Sequence, residues 1–360
     1  MPEQGPGSAA QPGMLILARE SRGMTQAEVA RAISAQLGPR EPTSQGYVSK
    51  AEAGRIKVTG ERLAVYAAAL GYRPDLLTLD EAVHGAGVGL VHHRRRASLA
   101  ATGLRRTHAV LNLTRIQLQA MLKAAGERPA HCFTDIEVDA FDTAEDAAHA
   151  LRRAWGLAPG PVLSLIGALE DAGGFVVRRP LAGRELDAVS QRMEGGNPLF
   201  LLNLGTPADR ERYTLAHEIG HVVMHRVPSD DQERQADQFA GEFLLPARDI
   251  LGSLKGGLDL GRLIELKRVW RVSMAAIVRR AHTLSVISDW QYRQLNIELS
   301  ALGYRTAEPA EFVPEQPAAV AALISRLQSQ GLTIADLAHI TGLPEQEFSE
   351  LYLCPTGDHV

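Results

Sequence analysis

The stretch TPADRERYTLAHEIGHVVMHRVPSDDQERQADQFAGEFLLP at residues 206–246 predicts two successive helices that carry a metal site. At its centre is the run HEIGH at residues 217–221. Residues four apart share one face of a helix, so His217 and His221 can offer two imidazole nitrogens to one zinc ion. Glu218 lies beside them, where its carboxylate can take a proton from a metal-activated water.

Polar residues and prolines mark where these two helices begin and end. Thr206 can cap the first helix, and Pro207 suits its first turn because a proline there gives up no hydrogen bond. Pro228 ends that helix. The run SDDQ at 229–232 predicts a capping box that opens the second helix, which ends before Pro246.

A catalytic zinc ion takes three protein ligands and keeps one position open. The second helix offers two carboxylates on one face, and we assign Glu233 as the third ligand. Asp237 is then expected to orient a ligand histidine through its other ring nitrogen. His225 is expected to pack or hydrogen-bond at the helix end. The alternatives are two half-buried histidines without metal, or a zinc ion that only joins two helices, against which the adjacent Glu218 argues.

Composition places the chain among globular proteins. Of its 360 residues, 45% are hydrophobic and 22% are charged. It lacks an apolar run of membrane-spanning length and a signal-peptide core, and its two cysteines, Cys132 and Cys354, are far apart. These features predict a cytoplasmic protein with no membrane partner and no cysteine metal site.

Charge is unevenly distributed along the chain. Residues 1–106 hold 14 Lys and Arg against 9 Asp and Glu, whereas residues 107–360 hold 24 against 33. A phosphate backbone is therefore expected to bind in the N-terminal part. Residues 306–360 contain one basic residue against eight acidic ones, so the helical pattern there predicts a cap or a dimer contact, not DNA binding.

Short helices separated by tight turns are predicted between residues 13 and 80. The segment TQAE at 25–28 is a capping box, and Gly23, Gly54 and Gly71 mark helix ends. Three stretches, RESRGMTQAEVARAI, SQGYVSKAEAG and RLAVYAAALGY, resemble the phage-repressor-like helix-turn-helix family called XRE, over about 65 residues. The loop between the second and third helices, around GPREPT, is longer than is usual in that family.

This resemblance implies that the helix at 44–50 enters the major groove of double-stranded DNA. Ser44, Gln45 and Lys50 are then expected to contact bases or phosphates, and Gln26 a phosphate at a helix N-terminus. Repressors of this type usually read two half-sites, which makes a homodimer possible. The alternative is a helical protein-interaction module, because residues 1–80 are nearly neutral.

The remaining pattern predicts a mostly α fold with a small mixed sheet. A long helix is expected at 107–125, and strands at 175–178, 188–193 and 199–204. One edge of the sheet is expected to hold an extended substrate by strand addition, although 199–204 could equally be a buried central strand. The expected divisions are a disordered N-terminus (1–12), an all-α helix-turn-helix domain (13–80), a connector (81–130), an α+β zincin-like domain (131–305) and a C-terminal helical domain (306–360).

Three further stretches resemble the ImmA/IrrE metallopeptidase family, namely WGLAPGPVLSLIGALEDAGGFVV, LNLGTPADRERYTLAHEIGHVVMH and ERQADQFAGEFLLP. His217, His221 and Glu233 match the family's metal ligands, and Glu218 its catalytic glutamate. The resemblance implies zinc-dependent cleavage of a repressor or antitoxin partner in a stress, DNA-damage or phage-type response. In some relatives with a fused helix-turn-helix, the peptidase-like domain only senses a ligand, which is the alternative function here.

Overall fold

The computed structural model shows a mostly helical protein with one small mixed sheet, as the sequence predicts. The structure describes residues 8–38, 42–80, 90–93, 101–126, 133, 136, 143–181, 186–192, 197–225 and 229–354. Within this described part of the chain, no helix combines the length and the apolar composition that a membrane span requires.

Five helices form the N-terminal part, and a long sixth helix follows a short strand. They are α1 (Pro12–Ser21), α2 (Gln26–Leu37), α3 (Gln45–Glu52), α4 (Gly60–Leu70), α5 (Pro74–Leu77), β1 (Leu90–His93) and α6 (Ala101–Ala124). The central part comprises α7 (Ala144–Ala154), α8 (Leu165–Asp171), β2 (Phe175–Arg179), β3 (Ala188–Arg192), β4 (Leu199–Asn203), α9 (Ala208–Met224), α10 (Gln232–Leu244), α11 (Ala247–Leu254), α12 (Leu260–Trp270), α13 (Met274–Thr283) and α14 (Asp289–Ala301). Three C-terminal helices are α15 (Ala319–Ser329), α16 (Ile334–Thr341) and α17 (Glu345–Tyr352).

Side-chain caps begin several of these helices, as expected. Thr25 and Glu28 form the predicted capping box of α2, and Ser44 accepts a hydrogen bond from Tyr47 N at the start of α3. The chain is ordered before α1 over more residues than predicted. Ala10 N donates to Val58 O, so the predicted disordered stretch 1–12 is wrong for its last residues.

The sheet has the strand order β1-β3-β4-β2. β2 is parallel to β4, and β3 is antiparallel to both of its neighbours, β4 and β1. β4 lies in the interior of the sheet and all five of its residues are buried. Of the two readings of 199–204, the buried central strand is correct. β1 was not predicted, because a four-residue strand followed by arginines has no alternating pattern.

The two faces of the sheet belong to two different hydrophobic cores. Leu199 and Leu201 of β4 point to one core, and Phe200 and Leu202 point to the other, as the two-residue period of a strand requires. The first core also contains residues of α1–α6 and α15–α17, and the second contains α7–α14. The helix-turn-helix region and the C-terminal helices therefore pack on the same face of the sheet.

Polar contacts also join the N-terminal helices to the C-terminal helices. Arg22 donates to both carboxylate oxygens of Glu347, at 2.6 and 2.8 Å. Arg73 N, at the start of α5, donates to Gly342 O between α16 and α17. The Arg22 guanidinium also lies over the Tyr72 ring, 4.1 Å from its centroid. The C-terminal helices thus hold the N-terminal helices directly.

Some predicted helix boundaries need correction. α9 begins at Ala208, one residue later than expected, and Pro207 occupies the capping position in place of Thr206. The capping box predicted at 229–232 is wrong, because Asp231 caps α10 with helical backbone angles and its side chain makes no capping hydrogen bond. The connector helix begins at 101 instead of 107. Pro228 lies outside the described residues.

Candidate metal centre and nucleic-acid interface

Helices α9 and α10 bring three potential metal ligands to one point. The Nε2 atoms of His217 and His221 are 3.1 Å apart. The carboxylate of Glu233 reaches both rings, with Oε2 3.4 Å from His217 Nε2 and Oε1 3.2 Å from His221 Nε2. The ligand atoms of these three residues all lie within 4.8 Å of one another, so the group can hold a metal ion.

The separations of the donor atoms fit a tetrahedral zinc site. Zn–N and Zn–O bonds of ~2.0–2.1 Å at tetrahedral angles place neighbouring donors about 3.3 Å apart. The observed 3.1, 3.2 and 3.4 Å lie around that value. Both histidines are buried, whereas the Glu233 side chain is 51% exposed. The site is therefore closed by protein on the histidine side and accessible on the glutamate side.

The other ring nitrogen of each histidine has a partner that fixes its tautomer. His217 Nδ1 donates to Asp237 Oδ1 at 3.1 Å, and in this tautomer Nε2 is unprotonated and can bind a metal ion. Asp237 is held in turn by Arg279, at 2.8 Å. The predicted position of Asp237 beside a ligand histidine is thus the one that the structure has.

His221 has a different kind of support. His225 Nε2 lies 3.0 Å from Gln235 Oε1, an acceptor, so His225 carries its proton on Nε2. His225 Nδ1 must then accept from His221 Nδ1, at 2.9 Å, and His221 Nε2 faces the metal position unprotonated. Burial lowers the pKa of His225 to about 4, so the ring stays neutral and able to accept at neutral pH. His225 supports a ligand, as expected for a residue at the helix end.

When the facing ring nitrogens carry protons, the pKa of the Glu233 carboxyl is lowered, first by its hydrogen bond with His217 and then by that with His221, so the group stays ionised. A metal ion would take the place of those protons. Zinc sites with an open position commonly have three protein donors, such as two unprotonated imidazole nitrogens and one carboxylate. This site offers those three donors and is accessible on its fourth side.

Glu218 is fully buried next to the histidines, on the side of α9 that faces the sheet. Its Oε2 accepts a hydrogen bond of 2.6 Å from Ser190 Oγ on β3, and among the described residues its Oε1 has no hydrogen-bond partner. The sequence does not reveal Ser190, because the two residues are 28 positions apart and the pairing depends on how α9 packs on β3. The carboxylate is fixed through one oxygen, and the other can take a proton.

Tyr213 and His225, two further polar side chains of this region, each hydrogen-bond to a neighbour of the candidate site. Tyr213 OH donates to Asp237 O at 3.2 Å, and His225 supports His221. Tyr213 and Arg279 also line a cavity of about 460 Å³ one helical turn before His217. Its walls come from α9, α13 and α14, and include Tyr292. The cavity lies between α9 and the α13–α14 pair.

The predicted DNA-contacting residues lie at the start of α2 and along α3. Lys50 and Gln45 are exposed, and Ser44 is exposed at the α3 N-terminus. Gln45 Nε2 donates to Gln26 Oε1 at 3.0 Å, and Gln26 Nε2 donates to Glu52 at 2.9 Å. These contacts hold Gln26, which is half-buried, at the junction between the two helices.

The arrangement defines a class of protein, namely a helix-turn-helix protein with a metallopeptidase-like domain. Residues 15–77 match the helix-turn-helix family, and residues 169–282 match the IrrE N-terminal-like domain family. The chain therefore joins a DNA-binding helix-turn-helix domain of the XRE type to an IrrE-family domain. No curated protein matches the chain.

Proposed function

We propose that this protein is a transcription regulator whose zinc peptidase domain cleaves a partner protein. The observation that carries the proposal is the convergence of His217, His221 and Glu233 with a buried glutamate next to them. Under this proposal Glu218 is the catalytic base and the other three residues are zinc ligands. Asp237 positions His217 and has no direct part in the reaction.

Under this proposal each residue of the site has a separate role in peptide hydrolysis. A bound zinc ion supplies polarisation of the scissile carbonyl and acidifies water. Glu218 Oε1 accepts the proton of the attacking water and passes it to the leaving amine. Ser190 holds the other carboxylate oxygen, so the carboxylate does not need to reorient between the two proton transfers. Glu233, half exposed, marks the side from which a peptide enters.

The proposed substrate is a repressor or an antitoxin, cut at one site. Support comes from the combination of domains, because an IrrE-type domain is joined to a domain that itself reads DNA. The N-terminal domain brings the enzyme to DNA, with Gln26, Ser44, Gln45 and Lys50 as the contacting residues. We also propose the division into domains at 13–80, 131–305 and 306–360, and a homodimer that reads two half-sites.

The test is a pair of matched glutamate variants. Glu218→Gln removes the base and is expected to retain one zinc per chain while losing all cleavage. Glu265→Gln makes the same chemical change at an exposed position on α12 and is expected to behave as the unmodified protein. New protein N-termini are sequenced in cells that produce each form. A cleaved helix-turn-helix protein is expected with the unmodified chain and with Glu265→Gln only; equal cleavage with Glu218→Gln would refute the mechanism.

A second candidate function is a regulator that binds metal but cleaves nothing. The shared core favours it, because the N-terminal helices and one face of the sheet pack together, so a change at the metal centre can reach the DNA-binding helices. The discriminating measurement is affinity for a DNA site selected from a random library, with and without zinc. A zinc-dependent change in affinity that Glu218→Gln leaves intact, together with no cleaved partner, supports this function over the peptidase.

A further inference from the structure

Strand β1 joins the sheet from outside the IrrE-like domain. The family match covers β2, β3 and β4 and begins at residue 169, whereas β1 spans Leu90–His93, between the helix-turn-helix region and α6. Without β1, the sheet would end at β3, a strand antiparallel to its neighbour β4. The free backbone groups along that edge of β3 are the groups that β1 now pairs.

The edge of β3 runs past the proposed catalytic base. Ser190 in the middle of β3 holds Glu218, and its direct partner across the ladder is His92 of β1. β1 also contacts α9, the helix that carries Glu218 and both histidines. The segment 90–93 therefore lies extended and antiparallel to β3, beside the helix that carries the proposed catalytic base.

From the sequence, one edge of the sheet is expected to hold an extended substrate, and without β1 the strand β3 would form such an edge. We propose that Leu90–His93 occupies this edge as an internal competitor of an extended segment of the partner protein. The inference rests on the proposed function, since it names the edge that aligns the substrate. An edge strand recognises a partner through backbone hydrogen bonds, so the partner segment must be extended, antiparallel to β3 and free of proline at the paired positions.

An internal competitor sets a minimum concentration or affinity that the partner segment needs in order to bind. A segment tethered in the same chain has an effective concentration on the order of mM, so a free peptide of equal intrinsic affinity must approach that concentration to displace it. A partner that also contacts the protein elsewhere reaches the threshold at far lower concentration. The arrangement thus restricts docking to partners that bring a second point of attachment.

Displacement of β1 also alters the connection to the DNA-binding helices. β1 lies between α5, which ends at Leu77, and α6, which begins at Ala101. While β1 is paired, this connection is fixed to the sheet at its middle. When a partner segment replaces β1, residues 90–93 no longer attach the N-terminal part of the chain to β3.

The first experiment measures whether β1 protects β3. The double variant Val91→Pro/His92→Pro removes the backbone N–H groups of two consecutive residues. Successive N–H groups of a strand point in opposite directions, so one of the two that are lost faces β3. The control Val91→Ala/His92→Ala changes the same side chains and keeps both donors. Hydrogen exchange of residues 188–192 in the full chain is expected to accelerate at least about fivefold in the proline variant and to match the unmodified protein in the control. Equal exchange in all three proteins overturns the proposal.

The second experiment measures displacement with a peptide of residues 87–97. The peptide is expected to bind the proline variant at least about tenfold more tightly than the unmodified protein, because the tethered competitor is gone. A control peptide with proline at both central positions is expected not to bind. Equal affinity for both proteins overturns the proposal. Neither experiment needs zinc or cleavage, so the two proposals can fail separately. If a peptide docks at β3 but no partner protein is cleaved, the peptidase function is refuted and the docking proposal stands.

Discussion

At the scale of single residues, the two histidines proposed as zinc ligands differ in what orients them. His217 donates to a carboxylate that Arg279 holds, whereas His221 donates to a neutral imidazole that Gln235 holds. A carboxylate partner raises the basicity of a histidine more than a neutral acceptor does. His217 is therefore expected to be the stronger of the two imidazole donors, and its support to matter more for metal affinity.

Replacing Asp237 by Asn tests this support. The amide keeps the size of the side chain but loses the charge that orients His217, so zinc affinity is expected to fall about 10–100-fold. Asp230→Asn is the control, since Asp230 is exposed just before α10. Competition with a chelating dye measures both affinities. Equal zinc affinity in Asp237→Asn and the unmodified protein would contradict the assigned role.

Lys50 allows a test of the DNA-binding surface. It is exposed near the end of α3, where its ammonium group can reach a phosphate. Lys50→Ala is expected to weaken DNA binding and to reduce the salt dependence by about one counterion, whereas Lys255→Ala, an exposed lysine after α11, is expected to change neither. DNA affinity measured at several salt concentrations decides between them. An unchanged salt slope in Lys50→Ala would place the phosphate contacts elsewhere.

At the scale of elements, the metal centre depends on how closely α9 and α10 approach each other. Gly220 faces α10, and a Cβ atom there would lie 2.9 Å from Phe239 Cδ1 and 3.1 Å from Cγ. The Phe239 ring is fully buried and stacks on Phe243, so it has little room to move. The glycine of the HEIGH run thus sets the distance between the helix with two ligands and the helix with the third.

Gly220→Ala is expected to separate the two helices and to cost about 1–3 kcal/mol of stability by overpacking. Zinc affinity is expected to fall as well, because Glu233 moves away from the histidines. Gly252→Ala in α11 is the control: its Cβ meets no atom within 4 Å, and alanine there is expected to stabilise the helix by up to about 1 kcal/mol. Thermal unfolding and zinc titration measure both variants. Normal zinc binding in Gly220→Ala would show that the spacing is adjustable.

Local patterns predicted the parts of the site that lie within one helix or on two successive helices. The spacing of His217 and His221 predicted that both rings share one face of a helix, and in the structure their Nε2 atoms are 3.1 Å apart. Ser190 was not predictable, because its contact with Glu218 depends on the packing of a helix on a strand and no periodicity reports such packing. The box at 229–232 failed because α10 begins only at Gln232, so Asp231 takes the capping position in place of Ser229.

At the scale of the whole molecule, the helix-turn-helix region is built into a larger core. Residues of α1–α5 share one apolar cluster with α6, with the sheet and with the C-terminal helices. Phe348 of α17 is fully buried in this cluster, as is Tyr66 of α4. Stability of the DNA-binding helices therefore depends on residues nearly three hundred positions away along the chain.

Phe348→Ala is expected to destabilise the protein by about 3–5 kcal/mol and to accelerate hydrogen exchange in α1 and α4, although neither helix is altered. Trp290→Ala removes a larger aromatic side chain from α14, where it is 65% exposed, and is expected to change stability by less than about 0.5 kcal/mol. Exchange followed by mass spectrometry measures both effects. Unaltered exchange in α1 and α4 of Phe348→Ala would mean that the N-terminal helices are stable by themselves.

The ion pair between Arg22 and Glu347 joins residues 325 positions apart. During synthesis, Arg22 leaves the ribosome long before its partner does. Translation proceeds at about 5–20 residues per second, so the segment that completes the core of the N-terminal helices is made roughly 16–65 s after Arg22. In a nascent chain that is stalled or truncated, the DNA-binding helices are therefore incompletely packed. We expect DNA binding only after the peptidase-like domain has been synthesised.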